Sequence, residues 1–326
     1  MAKSHEQNTK ESASGETTPH GTPLPAQAPI NSSEALLPSL PIIFKSLSWF
    51  LFSPVDAKRL LLFERVFSLT FLIYTAGWSL HAREWLTNYG FHVSPEAMSK
   101  SYPTPIPPIS EGFLPFFLLG MFTATICRIF NKGGKLAQAF TLLFAVLIQL
   151  IDLTSAFTLN KLYIVVFAIL FFAPPASKDG THSVWPVRVI QATLLIQYGT
   201  AGTCKIFFGD WMYRSDVLFT HSVGVYRTSL AALFAAYVPM IGWTITAIYA
   251  LLFELLAPIL FILKSTKNLT ILAGIALHVG IALMMKDLIY FSLQMMSFYL
   301  LFLSLDELQH IKTTIAKRFS KWRQNP

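Results

Sequence analysis

The run "VIQATLLIQYGTAGTCKIFFG", residues 189–209, is apolar along almost its whole length and carries one charged residue, Lys205. An α-helix needs about 20 predominantly apolar residues to cross the hydrocarbon core of a bilayer. The run therefore predicts a membrane-spanning helix. A lysine near its end has two interpretations, because a long side chain can reach the headgroups or can face a polar cavity.

The composition of the whole chain agrees with this prediction. The protein has 326 residues, of which 53% are hydrophobic and 13% charged, and its mean hydropathy is +0.52. A soluble domain is much less apolar. The net charge of +8 is typical of a membrane protein with basic cytoplasmic loops, so we predict the lipid bilayer as partner and no nucleic acid.

Seven further apolar runs predict an all-α integral membrane protein, a bundle of about eight transmembrane helices. Before the first run, Ser53 is expected to cap a helix that begins at Pro54, with Asp56 three residues after the cap. The predicted spans are residues 58–80, 112–130, 135–151, 159–175, 185–208, 241–263, 268–285 and 287–304.

Three regions follow from the composition. Residues 1–34 are rich in Ser, Thr, Pro and Gly, and we predict a disordered tail. Residues 35–305 form the membrane domain, which opens with an interfacial helix at 35–52, since Pro38, Pro41 and Lys45 interrupt that apolar run. Residues 306–326 are a basic tail.

The basic loops predict the orientation. Lysines and arginines concentrate in loops 128–135 and 263–267 and in the tail after residue 305. With eight spans, these segments and both termini lie on the cytoplasmic side. Loop 81–111 and segment 209–240, which is partly apolar and predicted to lie helical along the interface, are then on the outer side.

Several polar residues lie inside the predicted spans, where each ionisable group costs several kcal/mol. Lys205, His278, Asn160 and Lys161 all fall in the outer half, on three different helices, which is consistent with one polar pocket that opens outward. The structural alternatives are a snorkelling lysine, a histidine that bonds to a neighbouring helix, and capping at 160–161. Glu254, near the middle of span six, must be protonated or paired.

On these residues the chain resembles the HTTM superfamily, which includes the membrane domain of vitamin K-dependent gamma-glutamyl carboxylase and the sporulation-delaying toxin maturation protein B. The resemblance covers about residues 50–305. Its most specific element is Tyr198, Gly202, Lys205 and Trp211, followed later by Leu-His-x-Gly at His278.

The resemblance implies a catalytic base at Lys205, which is the position of the lysine that deprotonates reduced vitamin K in the carboxylase. It also implies a reduced quinone as cofactor, with His278, Lys161 and Asn160 in the catalytic group. The cofactor-binding residues would be Tyr198, Trp211 and Glu254. The carboxylase has histidine where this chain has Lys161, and its large lumenal domain has no counterpart here.

The function expected from the resemblance is modification or maturation of a secreted peptide or protein, at the inner membrane of a bacterium. Two alternatives remain open. In the first, the chain is a non-catalytic membrane partner for export, maturation or immunity of a secreted peptide. In the second, it is a transporter of a lipid or small molecule. No inverted repeat is visible, which weighs against the transporter.

Overall fold

The structure is a computed structural model that describes residues 42–92, 106–152, 158–212 and 214–324. The predicted disordered tail, 1–34, and residues 35–41 of the predicted interfacial helix lie outside this part. The elements are α1 Ile42–Phe52, β1 Pro54–Asp56, α2 Ala57–Ser79, α3 Ala82–Leu86, α4 Leu114–Ile129, α5 Gly134–Ile151, α6 Thr158–Phe172, β2 Thr181–Ser183, α7 Trp185–Phe207, α8 Val217–Val223, α9 Ser229–Tyr237, α10 Met240–Leu260, α11 Lys267–Met284, α12 Ile289–Phe298 and α13 Leu305–Gln324.

The structure is mainly helical, which confirms the predicted all-α class, and its apolar helices are consistent with an integral membrane protein. Among the described residues, four helices are long and apolar enough to cross a membrane, namely α2, α5, α10 and α11. On α10 the exposed residues include Ile245, Ile248, Leu252, Leu256 and Ile259, which recur at helical spacing. Exposure of such an apolar stripe to water would be unfavourable for a monomer, whereas lipid chains solvate it.

The other predicted spans also contain helices, but these are shorter or more polar. Helices α4 and α6 are apolar and fall below the length of a full span, and α12 with the 3₁₀ turn Tyr299–Phe302 is followed by α13 after a bend of 118°. Helix α7 is long enough but carries glutamines and small polar residues. Segment 209–240 forms a 3₁₀ turn and the short helices α8 and α9 rather than one helix.

The start of α2 differs from the prediction. Residues Pro54–Asp56 form β1, which pairs antiparallel with β2, and the capping residue is Asp56 rather than Ser53. The Asp56 carboxylate accepts a hydrogen bond of 2.7 Å from the amide of Lys58. Aspartate is a strong N-cap, so it determines the helix start once the preceding residues join a strand.

Aromatic rings fill the centre, where α2, α6 and α12 meet. Phe63, Phe67 and Phe71 recur every fourth residue on α2 and are fully buried. Phe67 packs edge-on against Phe167 of α6 and Phe298 of α12, with ring centroids 5.5 Å apart in each case. The i, i+4 spacing places all three rings on one face of α2, which explains why this helix is central.

The chain divides into two structural units, Met1–Ser46 and Leu47–Pro326. Within the second unit, contacts at the helix ends pair the ends that alternating spans would bring together. The Lys135 ammonium at the start of α5 donates to the carbonyl of Ala173, just after α6, at 2.8 Å. Gln191 near the start of α7 donates to the Leu301 carbonyl at 2.7 Å.

Arg128 differs from its predicted position in a basic loop. It lies in the last turn of α4 with a side chain that is 1% exposed, 3.0 Å from the carboxylate of Glu64 on α2. Its guanidinium covers the ring of Phe167 at 4.4 Å. A cation in an apolar interior requires a counter-charge, and Glu64 provides it.

Candidate functional site

The single charged residue of the opening run has a charged partner. Lys205, in the last turn of α7, forms an ion pair with Glu254 of α10. The two side chains are 23% and 13% exposed, so the pair is sheltered but not sealed. The lysine ammonium also lies 5.0 Å from the centre of the Trp211 ring, in the 3₁₀ turn that follows α7. Lys205 therefore has a specific protein partner, in contrast to the snorkelling interpretation.

A glycine allows the two helices to approach this closely. A Cβ atom at Gly202 would lie 2.9 Å from the backbone nitrogen of Leu255, the neighbour of Glu254. Real Cβ atoms almost never show such a distance. Small residues let membrane helices pack backbone to backbone. Gly202 and Lys205 are separated by about one helical turn, so the close approach also brings the ammonium to Glu254.

Two turns before Lys205, Tyr198 is the centre of a buried hydrogen-bonded cluster. Its hydroxyl lies 2.8 Å from Nε2 of His278 on α11 and 2.6 Å from the hydroxyl of Tyr299, at the end of α12. All three residues are at most 3% exposed. Nδ1 of His278 is buried and has no hydrogen-bond partner among the described residues. The cluster thus joins three helices and retains one free polar atom.

Two consecutive residues of α10 contact the tyrosine cluster and the ion pair, so the two groups are neighbours. Phe253 packs edge-on against Tyr198 with ring centroids 5.3 Å apart, and the next residue, Glu254, pairs with Lys205. No hydrogen bond or ion pair joins Lys205 to His278 in the described part of the chain. The two predicted residues therefore belong to adjacent groups, linked by helices α7 and α10.

Asn160 and Lys161 do not join this site by any contact that the structure describes. Asn160 is fully buried and donates to the carbonyl of Ala145 at 3.1 Å and to the side chain of Gln149 at 3.2 Å, both on α5. The side chain of Lys161 is exposed. Asn160 links α5 and α6, which is the structural role expected of a buried amide between helices.

An apolar groove of about 620 Å³ lies between α7 and α10. Its lining includes Ile196, Gly199 and Thr203 of α7, Pro258 of α10, and Ile262, which lies two residues after α10 ends. It reaches Cys204, the residue before Lys205. The groove therefore offers an apolar surface to an alkyl or isoprenoid chain, and at Cys204 it comes within one residue of Lys205 along α7.

The chain matches no protein-family model. It has no significant match among the curated proteins or the solved structures.

Tyr299 is the site residue that the sequence did not single out. It lies in "SFYLLF", and a tyrosine in such an apolar run is usually interpreted as an aromatic residue at the membrane–water interface. The signal that could have revealed it is the position of its hydroxyl within a predicted span, since a buried hydroxyl needs a partner. That partner, Tyr198, is about a hundred residues away in the chain.

Proposed function

We propose that this chain is a multi-pass membrane protein of about eight spans, related to the HTTM superfamily, that performs proton transfer on a lipid-soluble substrate. On this proposal it acts in the modification or maturation of a secreted peptide or protein, with a reduced quinone as cofactor. The observation that supports this proposal most directly is the partly exposed ion pair of Lys205 and Glu254.

An isolated charge is costly inside a membrane. Each ion alone would cost several kcal/mol, and the pair offsets part of that cost. These two side chains keep 23% and 13% of their surface open, so a small molecule can reach the pair from outside the protein. An accessible ion pair between two apolar helices is a site at which a proton can be exchanged with a bound molecule.

Proton exchange within the pair supplies a base. When the ammonium of Lys205 gives its proton to Glu254, two charges become two neutral groups, which a low-dielectric site favours. The neutral amine can then accept a proton from a phenolic hydroxyl. Trp211, over the ammonium, helps to hold the cation when the proton returns.

The residues present fit a reduced quinone. Such a cofactor supplies an acidic hydroxyl and two reducing electrons. Lys205 and Glu254 would face the hydroxyl, Trp211 offers an aromatic face, and the groove lined by Ile196 and Pro258 suits an apolar tail. Nδ1 of His278 is a buried polar atom that still lacks a partner.

The finer topology is part of the same proposal. Eight alternating spans, an interfacial helix that includes α1, and cytoplasmic termini in a bacterial inner membrane would bring the starts of α2, α5 and α7 to one face. The contacts of Lys135 with Ala173 and of Gln191 with Leu301 support this arrangement. Labelling of single cysteines at residues 132 and 225 in intact cells tests it, and equal labelling of both from outside would contradict it.

The function is tested by mass spectrometry of quinones and other lipids that co-purify in mild detergent. We expect a specific small molecule with the wild type and with Lys264→Met, an exposed loop lysine that serves as the control. Lys205→Met should lose it while its secondary structure and insertion remain. A molecule retained in full by Lys205→Met would contradict the proposal. If neither protein carries one, the non-catalytic peptide-partner alternative is favoured.

A further inference from the structure

Among the described residues, two arginines near the starts of α2 and α7 have no charge partner. Arg188 lies in the first turn of α7 and Arg59 in the first turn of α2. The paired strands β1 and β2 directly precede these two helices, which places both arginines at the same end of the bundle. In the described part of the chain, neither guanidinium forms an ion pair with a carboxylate.

The fold holds these arginines in place. Strands β1 and β2 lead directly into α2 and α7, and their pairing of Val55 with His182 ties the two helix starts together. Arg188 is half-buried and lies over the ring of Phe50 at 4.7 Å, and its Nη1 donates to Gln191 at 3.3 Å. Its Nε is buried and has no partner among the described residues.

This arrangement is unfavourable unless an anion binds. Two like charges beside an apolar bundle repel each other, and an unpaired buried N–H costs further free energy. A phosphate between them would remove both costs, because guanidinium groups bind phosphate through paired N–H donors. The starts of two helices add further positive potential at the same place.

We propose that Arg59 and Arg188 form a binding site for a phosphate group, and that this group belongs to the headgroup of an anionic phospholipid. The neighbouring surface fits a membrane interface, since Trp49 and Phe52 are exposed there by 73% and 59%. Lys58 is a matched control outside the site, because its exposed ammonium already lies 3.6 Å from the carboxylate of Asp56. The site is separate from the Lys205 pair and does not depend on the function proposed for that pair.

The test is native mass spectrometry and thermal unfolding of the delipidated full chain with added phosphatidylglycerol, phosphatidylcholine or inorganic phosphate. We expect phosphatidylglycerol to bind the wild type and Lys58→Gln alike. Arg59→Gln/Arg188→Gln should bind it at least about tenfold more weakly, in line with the loss of two charge-assisted contacts. Phosphatidylcholine should bind all three proteins equally weakly.

The lipid-free protein gives a second test, because removing one arginine should then change the unfolding temperature in the opposite direction. Without lipid, Arg59→Gln should unfold at a temperature no lower than the wild type, because it relieves the repulsion, and with phosphatidylglycerol the order should reverse. Arg59→Lys/Arg188→Lys keeps the charges but loses the paired N–H donors, so it should also bind phosphatidylglycerol more weakly than the wild type, and it covers the case in which the double glutamine variant does not fold. Equal phosphatidylglycerol binding by wild type and either double variant would overturn the proposal. Stabilisation of the wild type by inorganic phosphate that competes with phosphatidylglycerol would support the phosphate site and overturn its assignment to a lipid.

Discussion

Lys205 and Glu254 are 49 residues apart in the chain and form an ion pair between α7 and α10, next to a glycine that lets those helices touch. The relationship explains why both residues are compatible with a membrane interior. Each charged group requires the other, and the close helix approach that joins them depends on Gly202. Several measurements can test this account.

The first prediction concerns the coupling of the pair. Lys205→Met and Glu254→Gln should each lower the unfolding temperature in detergent, because each leaves its partner as a half-buried charge without a counter-ion. The double variant should recover most of the loss. A double-mutant cycle measured by thermal unfolding should give a coupling of about 0.5–3 kcal/mol. Additive effects would show that the two side chains do not interact.

The second prediction concerns the helix contact. Gly202→Ala should destabilise the protein by about 1–3 kcal/mol, the usual cost of overpacking, since its Cβ would lie 2.9 Å from the Leu255 nitrogen. Gly199→Ala is the matched control on the same helix, because its Cβ would meet only Pro258 at 3.4 Å. Chemical unfolding of both variants separates the two cases, and equal stability would refute the close contact.

The third prediction concerns the buried cation of α4. Glu64→Gln leaves the Arg128 guanidinium, 1% exposed, without a counter-charge and should cost about 3–5 kcal/mol. Glu111→Gln removes the partner of Arg83 in a pair that is 55% exposed on both sides, and should cost about 0–1 kcal/mol. Thermal unfolding of the two variants provides the comparison. A Glu64→Gln protein as stable as Glu111→Gln would mean that Arg128 is not held as a cation by Glu64.

The fourth prediction concerns pH at the start of α13. The amide of Ser304 donates to Glu307 at 2.6 Å and Lys267 donates to it at 3.0 Å, which lowers the pKa of Glu307 to about 2. A lowered pKa means that the folded state binds the proton more weakly than the unfolded state. The contribution to stability is therefore complete above the ordinary pKa of 4.5 and is lost as the pH falls toward 2.

Glu307 is a third exposed, so its contribution should stay below about 1 kcal/mol. The measurement is the difference in unfolding temperature between wild type and Glu307→Gln, followed from pH 7 downward. We expect the wild type to be more stable at pH 7 and the difference to shrink below pH 4.5. A difference that is independent of pH would contradict the role of the ionised carboxylate.

The sequence by itself determined the helices and the class of protein. Apolar runs of membrane length predict helices because the backbone must satisfy its own hydrogen bonds in lipid, and each predicted span contains one. The polar residues inside the runs were also visible. Glu254 was expected to be protonated or paired, and a bond from His278 to a neighbouring helix was the structural alternative to a catalytic role. In the structure Glu254 is paired with Lys205, and His278 contacts the Tyr198 hydroxyl on α7.

The tertiary structure alone decided which partners these residues have. A helical period shows which residues share a face of one helix, but it carries no information about which helix packs against that face. Lys205 was predicted in one pocket with His278 and Lys161, whereas its partner is Glu254 and the partners of His278 and Asn160 are Tyr198 and Gln149. The reason is physical: a lone polar group in a low-dielectric interior must find a partner, and packing determines which one lies within reach.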